Sequence, residues 1–399
     1  MNPPTALPLA GIRVVEFVHM VMGPTCGLVL ADLGAEVIKV EPVEGDNTRR
    51  LSGSGAGFYA TFNRNKKSLA IDVKDPAAKA AVLQLIATAD IVTENFRPGA
   101  MDKLGLGHAA LKAIKPDLIY VSHKGFLAGP YEARTALDEV VQMMAGLAYM
   151  TGPPGRPLRA GASVNDIMGG MFGALGAIAA LYQRDKGGPQ GGQGRRIDSG
   201  LFENCVFLVA QHMMQFAVTG KPAAPMPARL PAWGIYDVFT LADGAQLFLA
   251  VVSDTQWQAF CAALGRADWA ADARLATNPL RVAARDWFMP LVSDALGRMA
   301  PAALIALATR AGLPWAPITA PDALFDDPHL NAAGGLAPMV LPDGRATATP
   351  LLPLAWDGAR LPLRASPPAI GAHTREVLAT AGLAPQEIEA LIARGVAAG

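Results

Sequence analysis

The alternation of short β-branched runs with helical stretches in the first half of the chain constrains its fold more than any other feature. Arg13 to Phe17 (RVVEF) reads as a buried strand, and Gly23-Pro24 opens a helix running to about Leu33. Glu36 to Val40 (EVIKV) is the next strand and closes a compact strand–helix–strand unit. Ser68 to Val73 follows, then a helix from Pro76 to about Thr88, a strand from Asp90 to Thr93 and another from Leu118 to Ser122. Such alternation predicts an α/β layer architecture with a largely parallel sheet. Ligands of such sheets sit at the carboxyl ends of the strands, so the loops of interest follow Phe17, Val40, Thr93 and Ser122.

A second region begins after a helix from Leu201 to about Thr219. Residues 220–231 form a Pro/Ala linker, and a smaller α+β domain spans about 226–325. Its opening strands, Tyr236 to Leu241 and Gln246 to Val251, flank the turn Ala242-Asp243-Gly244, and Ser253 and Asp254 cap the next helix. Residues 326–399 return to complete the large domain begun by 1–219, with helix from Glu376 onward.

At 399 residues and 51% hydrophobic, the chain has ample material for a buried core, which excludes a disordered protein. Its 34 basic and 34 acidic side chains balance, which argues against nucleic acid or an anionic membrane as partner. Cys26, Cys205 and Cys261 lack the spacing of a disulfide framework or a zinc site, and no metal is expected. Met1 to Pro8 contains no basic residue and no apolar run, so no secretory signal is read there. Ile167 to Gln183 falls short of the roughly 20 residues that span a bilayer, and reads as a buried helix. The expected location is the cytoplasm.

The motifs of serine hydrolases, zinc proteases and P-loop enzymes are absent, and no two of the six histidines are spaced i, i+4. Asp166 is the informative carboxylate. It precedes an apolar helix, Ile167 to Tyr182, that starts with Gly169 and Gly170. One reading is a helix N-cap. The other is a nucleophile, ionised by the helix dipole and free N–H groups, with the glycines leaving room for a large substrate. The two readings are compatible, and the residues alone leave both open.

The segments LAGIRVVEF, GPTCGLVLADLGAEVIKVEP, NRNKKSLAIDVKDP, ENFRPGAMDKLGL, IYVSHKGF, SVNDIMGGMFGALGAIAALYQRDK, IYDVFTLADG and GAHTREVLATAGL resemble the family III CoA-transferases, the formyl-CoA transferase and carnitine CoA-transferase group. They are collinear with the family from Leu9 to Leu383. The resemblance implies a Rossmann-like large domain and an interlocked, ring-like homodimer. It also implies attack of Asp166 on an acyl-CoA thioester, giving an aspartyl anhydride and then an aspartyl-CoA thioester. Coenzyme A esters are then substrates, with no tightly bound cofactor. Helix-start N–H groups could stabilise the oxyanions. By the same resemblance CoA contacts fall on Val21 and Met22, on Ile71, Asp72, Val73 and Lys74, on Asn95, Phe96 and Arg97, on Lys103, and on Arg134, Thr135, Ala136, Leu137 and Asp138. Lys74, Arg97 and Lys103 suit phosphates, and Phe96 could stack on adenine.

Related α-methylacyl-CoA racemases carry a catalytic histidine where Leu137 stands, and leucine cannot deliver a proton. Formyl-CoA transferases have a glutamine at the place of Val21 and a glycine-rich loop in the small domain; here only Trp233-Gly234-Ile235 and Val252-Ser253 lie near it. Those departures disfavour the two alternatives, a racemase and a formyl-CoA:oxalate enzyme. A CoA-binding protein without activity is a third, opposed by the intact Asp166. His19 reads either as a donor to substrate or as a buried histidine satisfied by backbone. Asp138 reads as a helix N-cap that also orients the site. The expected reaction is transfer from succinyl-CoA to a dicarboxylate or its sulfinate analogue, with His19, Arg49 and Arg50 as candidate anchors for the distal charge.

Overall fold

The computed structural model describes residues 7–187, 191–229 and 231–399. Residues 1–6 of the stretch read as lacking a secretory signal, 188–190 of the expected large domain and 230 of the expected linker lie outside the described residues. The chain divides into two compact units: residues up to Pro227 with Pro328–Gly399, and Ala228–Asp327.

In the larger unit β1 (Arg13–Phe17), α1 (Met22–Asp32) and β2 (Glu36–Glu41) form the anticipated strand–helix–strand unit, with Val14 opposite Val37. β3 (Lys66–Ile71), α2 (Pro76–Ala87), β4 (Ile91–Glu94), β5 (Ile119–Lys124) and β6 (Arg196–Gly200) continue it. The strand order β3–β2–β1–β4–β5–β6 is parallel throughout and is the Rossmann order. β3 ends two residues before the expected Val73. There the Asp72 N–H donates to the Val396 carbonyl, and the Asp72 carboxylate accepts from Lys74 N–H, so the chain turns out of the sheet.

Both faces of the sheet are covered, so its strands are buried nearly throughout, Glu16, Lys39 and Glu94 included. Val15, Ile38 and Leu69 face Val82, Leu85 and Ile86 of α2. Val14, Val37 and Val121 face Cys26 and Leu30 of α1 and Ala174, Ala177 and Leu181 of α4 (Val164–Lys186), after a short α3 (Asp138–Met144). α4 has 23 residues, more than the apolar stretch suggested, and by length and composition could cross a membrane. Its Ala174, Ala177 and Leu181 are packed into the core here. α5 (Leu201–Thr219) has the expected bounds.

In the smaller unit β7 (Ile235–Thr240) and β8 (Gln246–Val251) form the expected hairpin, and Ser253 Oγ caps α6 (Asp254–Leu264) by accepting from Gln256 N–H. A third strand, β9 (Trp315–Pro317), was not legible because Pro317 belongs to no strand pattern.

In the return segment β10 (Leu336–Val340) and β11 (Ala346–Pro350) form a hairpin. The helices α7 (Thr374–Thr380) and α8 (Pro385–Ala393) follow. The tail is not helical to its end, because Ala397–Ala398 forms β12, antiparallel to β3. Val377, Leu378 and Ile388 join the core on the α2 side.

Candidate active site

Because β1 to β5 are parallel, the loops that follow them leave the sheet at one edge. Two cavities lie there. One, of about 460 Å³, is lined by Ile71, Asp72, Val73 and Lys74 together with Phe96 and the loop after β2, Pro42 to Glu44. The other, of about 300 Å³, is lined by His19, Met20, Asp46 and Thr48. They share Val40, Glu41, Pro42 and Phe96. The loops after β1 and β4, where the strand order reverses, meet directly. His19 N–H donates to Asn95 Oδ1 (3.0 Å), Asn95 Nδ2 donates to the His19 carbonyl (2.8 Å), and the His19 ring stacks on Phe96 at 5.7 Å. The His19 imidazole is exposed and its ring nitrogens have no hydrogen-bond partner among the described residues. Packing against Phe96 and the β2 side holds its pKa below the ordinary value, with Asp46 opposing and Lys39 reinforcing the effect.

The structure brings Ile71 to Lys74, Phe96 and His19 to these adjoining cavities. The side chains of Lys74, Arg97 and Lys103 are exposed and carry no ion pair among the described residues. Arg97 lines a different and much smaller cavity, with Asp102, His108, Lys124 and Arg196. Arg134 is exposed, its guanidinium 5.0 Å from the centre of the Tyr131 ring. Thr135 is exposed, Ala136 packs against Gly125, and Leu137 is 59% exposed.

Val21 and Met22 differ from expectation. Both are buried: Val21 packs with Leu28 and Phe62 against Ile167, and Met22 with Phe126 and Leu201. They back the site instead of presenting open surface to an acyl group. Gly169 and Gly170 likewise do not clear space for substrate. A Cβ on Gly170 would strike the Met22 carbonyl oxygen, and one on Gly169 the Met22 side chain, so the glycines let α1 and α4 touch.

Asp166 is not the cap of its helix but its third residue, after Ser163, which makes no side-chain cap bond. The cap comes from a different helix. Asp138 Oδ1 accepts from Asn165 N–H (2.9 Å) and Asp166 N–H (3.3 Å), and Asp138 Oδ2 accepts from Gln142 Nε2. Asp138 is thus buried at the first position of α3 and caps α4, not its own helix. Val164 N–H goes to Ala162 and Ile167 N–H to Ser163, so the opening N–H groups of α4 are all engaged. They are not free to meet an oxyanion. The Asp166 carboxylate itself is half-buried and has no hydrogen-bond partner among the described residues. Burial first, and the Asp138 charge second, push its pKa from 3.8 up to about 7, against the pull of Arg159. The expectation of a carboxylate held ionised by the helix start is therefore reversed.

Arg49 and Arg50 are not available as acid anchors. Arg49 forks onto the buried Glu41 (2.6 and 2.9 Å), donates to the Pro368 carbonyl and lies over the Tyr59 ring. Arg50 is tied to Glu44, Gly45 and Asn47 of its own loop. Sequence reading missed Arg159, which lies 3.7 Å from Asp138 and 2.9 Å from Glu139. It also missed Gln142, whose Oε1 accepts from Ala160 N–H. No motif marks either: Gln142 stands one turn after Asp138 on α3, an ordinary i,i+4 spacing, and Arg159 acquires meaning only when folding brings it beside Asp138.

The family model for CoA-transferase family III matches residues 9–374. A succinate–glutarate CoA-transferase of Agrobacterium fabrum is 34% identical over 385 residues, covering 93% of this chain and 95% of that protein. An acetyl-CoA:oxalate CoA-transferase of Acetobacter aceti is 34% identical over 318 residues, covering 78% and 80%. Among solved structures, a CAIB/BAIF family protein from Brucella suis superposes with a TM-score of 0.85 at 32% identity, covering 94% of this chain and all of that one. With a Rossmann-ordered sheet, a half-buried carboxylate at the head of α4 and a family match across nearly its whole length, the chain belongs to CoA-transferase family III and is a CoA-transferase.

Proposed function

We propose that the protein moves CoA from succinyl-CoA to a second dicarboxylate, or to a sulfinate analogue of one, through Asp166. The observation that carries this reading is the Asp166 carboxylate: half-buried, without a hydrogen-bond partner among the described residues, and with its pKa raised to about 7. A carboxylate of that basicity is a better nucleophile than a solvated one and is still substantially ionised near neutrality. One Asp166 oxygen attacks the thioester carbonyl, the C–S bond breaks, and CoA thiolate leaves an aspartyl–succinyl anhydride. The thiolate attacks the aspartyl carbonyl and releases succinate, giving aspartyl-CoA. An acceptor carboxylate attacks that thioester and expels the thiolate. The thiolate then takes the acceptor acyl group and restores Asp166. No proton, electron or co-reactant is left over.

In this reading Lys74, Arg97 and Lys103 serve the phosphates of CoA. His19 donates to the thioester or acceptor oxygen. Arg49 is held by a buried carboxylate and Arg50 by its own loop, whereas the pair of Arg159 with Glu139 is exposed and can be exchanged; Arg159, whose charge reaches Asp166, is the cation for a distal carboxylate. The similarity to a succinate–glutarate enzyme supports a dicarboxylate. A racemase would need a second acid–base at Leu137, which offers only methyl groups. The protein works in the cytoplasm as an interlocked homodimer; the exposed apolar side chains Met171 and Leu175 of α4 and Phe207, Met214 and Phe216 of α5 are surface a second copy would cover.

Steady-state rates across formate, oxalate, carnitine, succinate, glutarate, itaconate and a sulfinate test the reading, with succinyl-CoA as donor. A four- or five-carbon dicarboxylate should give the highest kcat/KM, and Asp166→Ala should abolish transfer. A higher value for the formyl-CoA and oxalate pair, or activity surviving in Asp166→Ala, would overturn it.

A further inference from the structure

The segment that carries His19 to α1 adopts a conformation that its own residues do not favour. Met20 has φ +63°, in the left-handed region, where a long side chain without a local hydrogen bond is strained by about 1–2 kcal/mol. Neither glycine nor asparagine stands there. Val21, the residue before the helix, makes no side-chain cap bond. Something outside the segment holds it.

The grip is a closed chain of buried polar groups from the β2 side. Lys39 Nζ donates to the Val18 carbonyl (2.5 Å) and pairs with Asp46 Oδ2 (2.9 Å). Asp46 Oδ1 accepts from Thr48 Oγ1 (2.8 Å) and from Thr48 N–H (2.9 Å). Thr48 Oγ1 in turn accepts from Met20 N–H (2.9 Å). The backbone is thus seized at Val18 C=O and at Met20 N–H, one on each side of His19, while Asn95 holds the N–H and C=O of His19 itself. Lys39, Asp46 and Thr48 are all buried. The Asp46 pKa is lowered: burial would raise it, but Lys39 and the Thr48 hydrogen bonds prevail, which favours the Asp46 anion.

A buried ion pair is weak evidence for stability, since well-packed apolar residues often do as well. Its value here is directional. Beyond Met20 the chain enters α1 at Met22, whose carbonyl and side chain abut Gly170 and Gly169 on the Asp166 helix. A shift of the segment would therefore move His19 and the packing behind Asp166 together.

We infer that Lys39, Asp46 and Thr48 form a positioning clamp that fixes the His19–Met22 segment against the Asp166 helix and so sets the alignment of thioester and nucleophile. The inference rests on the reading of Asp166 and His19 given above.

Thr48→Val removes the hydroxyl at constant size, and Thr48→Ser retains it. In Thr48→Val, kcat for succinyl-CoA and the best acceptor should fall by about 10- to 100-fold, as expected for a small misalignment of reacting groups. Appearance of the succinyl-CoA adduct on the Asp166 peptide should slow in parallel. Affinity for free CoA, measured by calorimetry, should stay within about twofold, since Thr48 touches none of the proposed CoA cations. Thr48→Ser should recover most of the rate. A lowered melting temperature with unchanged kcat would reduce the network to a structural role and overturn the inference, as would equal loss of rate and CoA affinity. If the wild type itself forms no Asp166 adduct, the proposed mechanism fails first, which is a separate result.

Discussion

Asp166→Asn should make the protein more stable at alkaline pH while destroying its activity. The folded chain holds the Asp166 proton more tightly than the unfolded chain, with a pKa of about 7 against 3.8. In that window the native state binds more protons, so stability falls as pH rises from 3.8 to about 7 and the cost is fully developed at higher pH. Three pKa units correspond to about 4 kcal/mol, an upper bound that solvent reaching the half-buried carboxylate reduces to roughly 1–2 kcal/mol. Asparagine keeps the shape without the charge, so it escapes that cost. Urea unfolding at fixed protein concentration should show Asp166→Asn more stable than wild type at about pH 8 and nearly equal to it at about pH 4, where the native aspartate is already neutral. A variant less stable than wild type at the higher pH, or a gain of equal size at both, would refute the argument.

Asp138→Asn removes the like charge beside Asp166 while leaving an oxygen for the two helix N–H groups. It should lower the Asp166 pKa and move the acid limb of the kcat/KM profile down by about one pH unit, measured from steady-state rates between about pH 5 and 9. Arg49→Met strands the buried Glu41 carboxylate without its forked partner. It should cost about 3–5 kcal/mol in denaturant unfolding and leave the order of preference among acceptor acids unchanged in the fraction that folds.

The strand–helix alternation was readable because a short β-branched run marks each strand: VV in RVVEF, VI in EVIKV and IV in IVTE. The cap of α6 by Ser253 and the full extent of α5 were readable for a similar reason, since capping and helical periodicity are local. β12 and β9 were not. Two or three residues carry no period, and they become strands only because β3 and β8 offer them an edge.

At the site, the sequence alone singled out Asp166 and the loops at the sheet edge, and resemblance supplied the chemistry. Its electrostatic state was decided elsewhere. A carboxylate at a helix start is favoured as an anion if the N–H groups there are free, and opposed if another carboxylate already holds them. Asp138 lies 28 residues away and holds them. The same rule separates Arg49 from Arg159: Arg49, which the sequence singled out, is locked onto the buried Glu41, and Arg159, which it did not, is brought beside Asp138 and the exposed Glu139 by folding. Local propensity and burial pattern write secondary structure into contiguous residues. The charge state of a nucleophile depends on which distant groups share its few ångströms, and only the packing of α3 against α4 determines that.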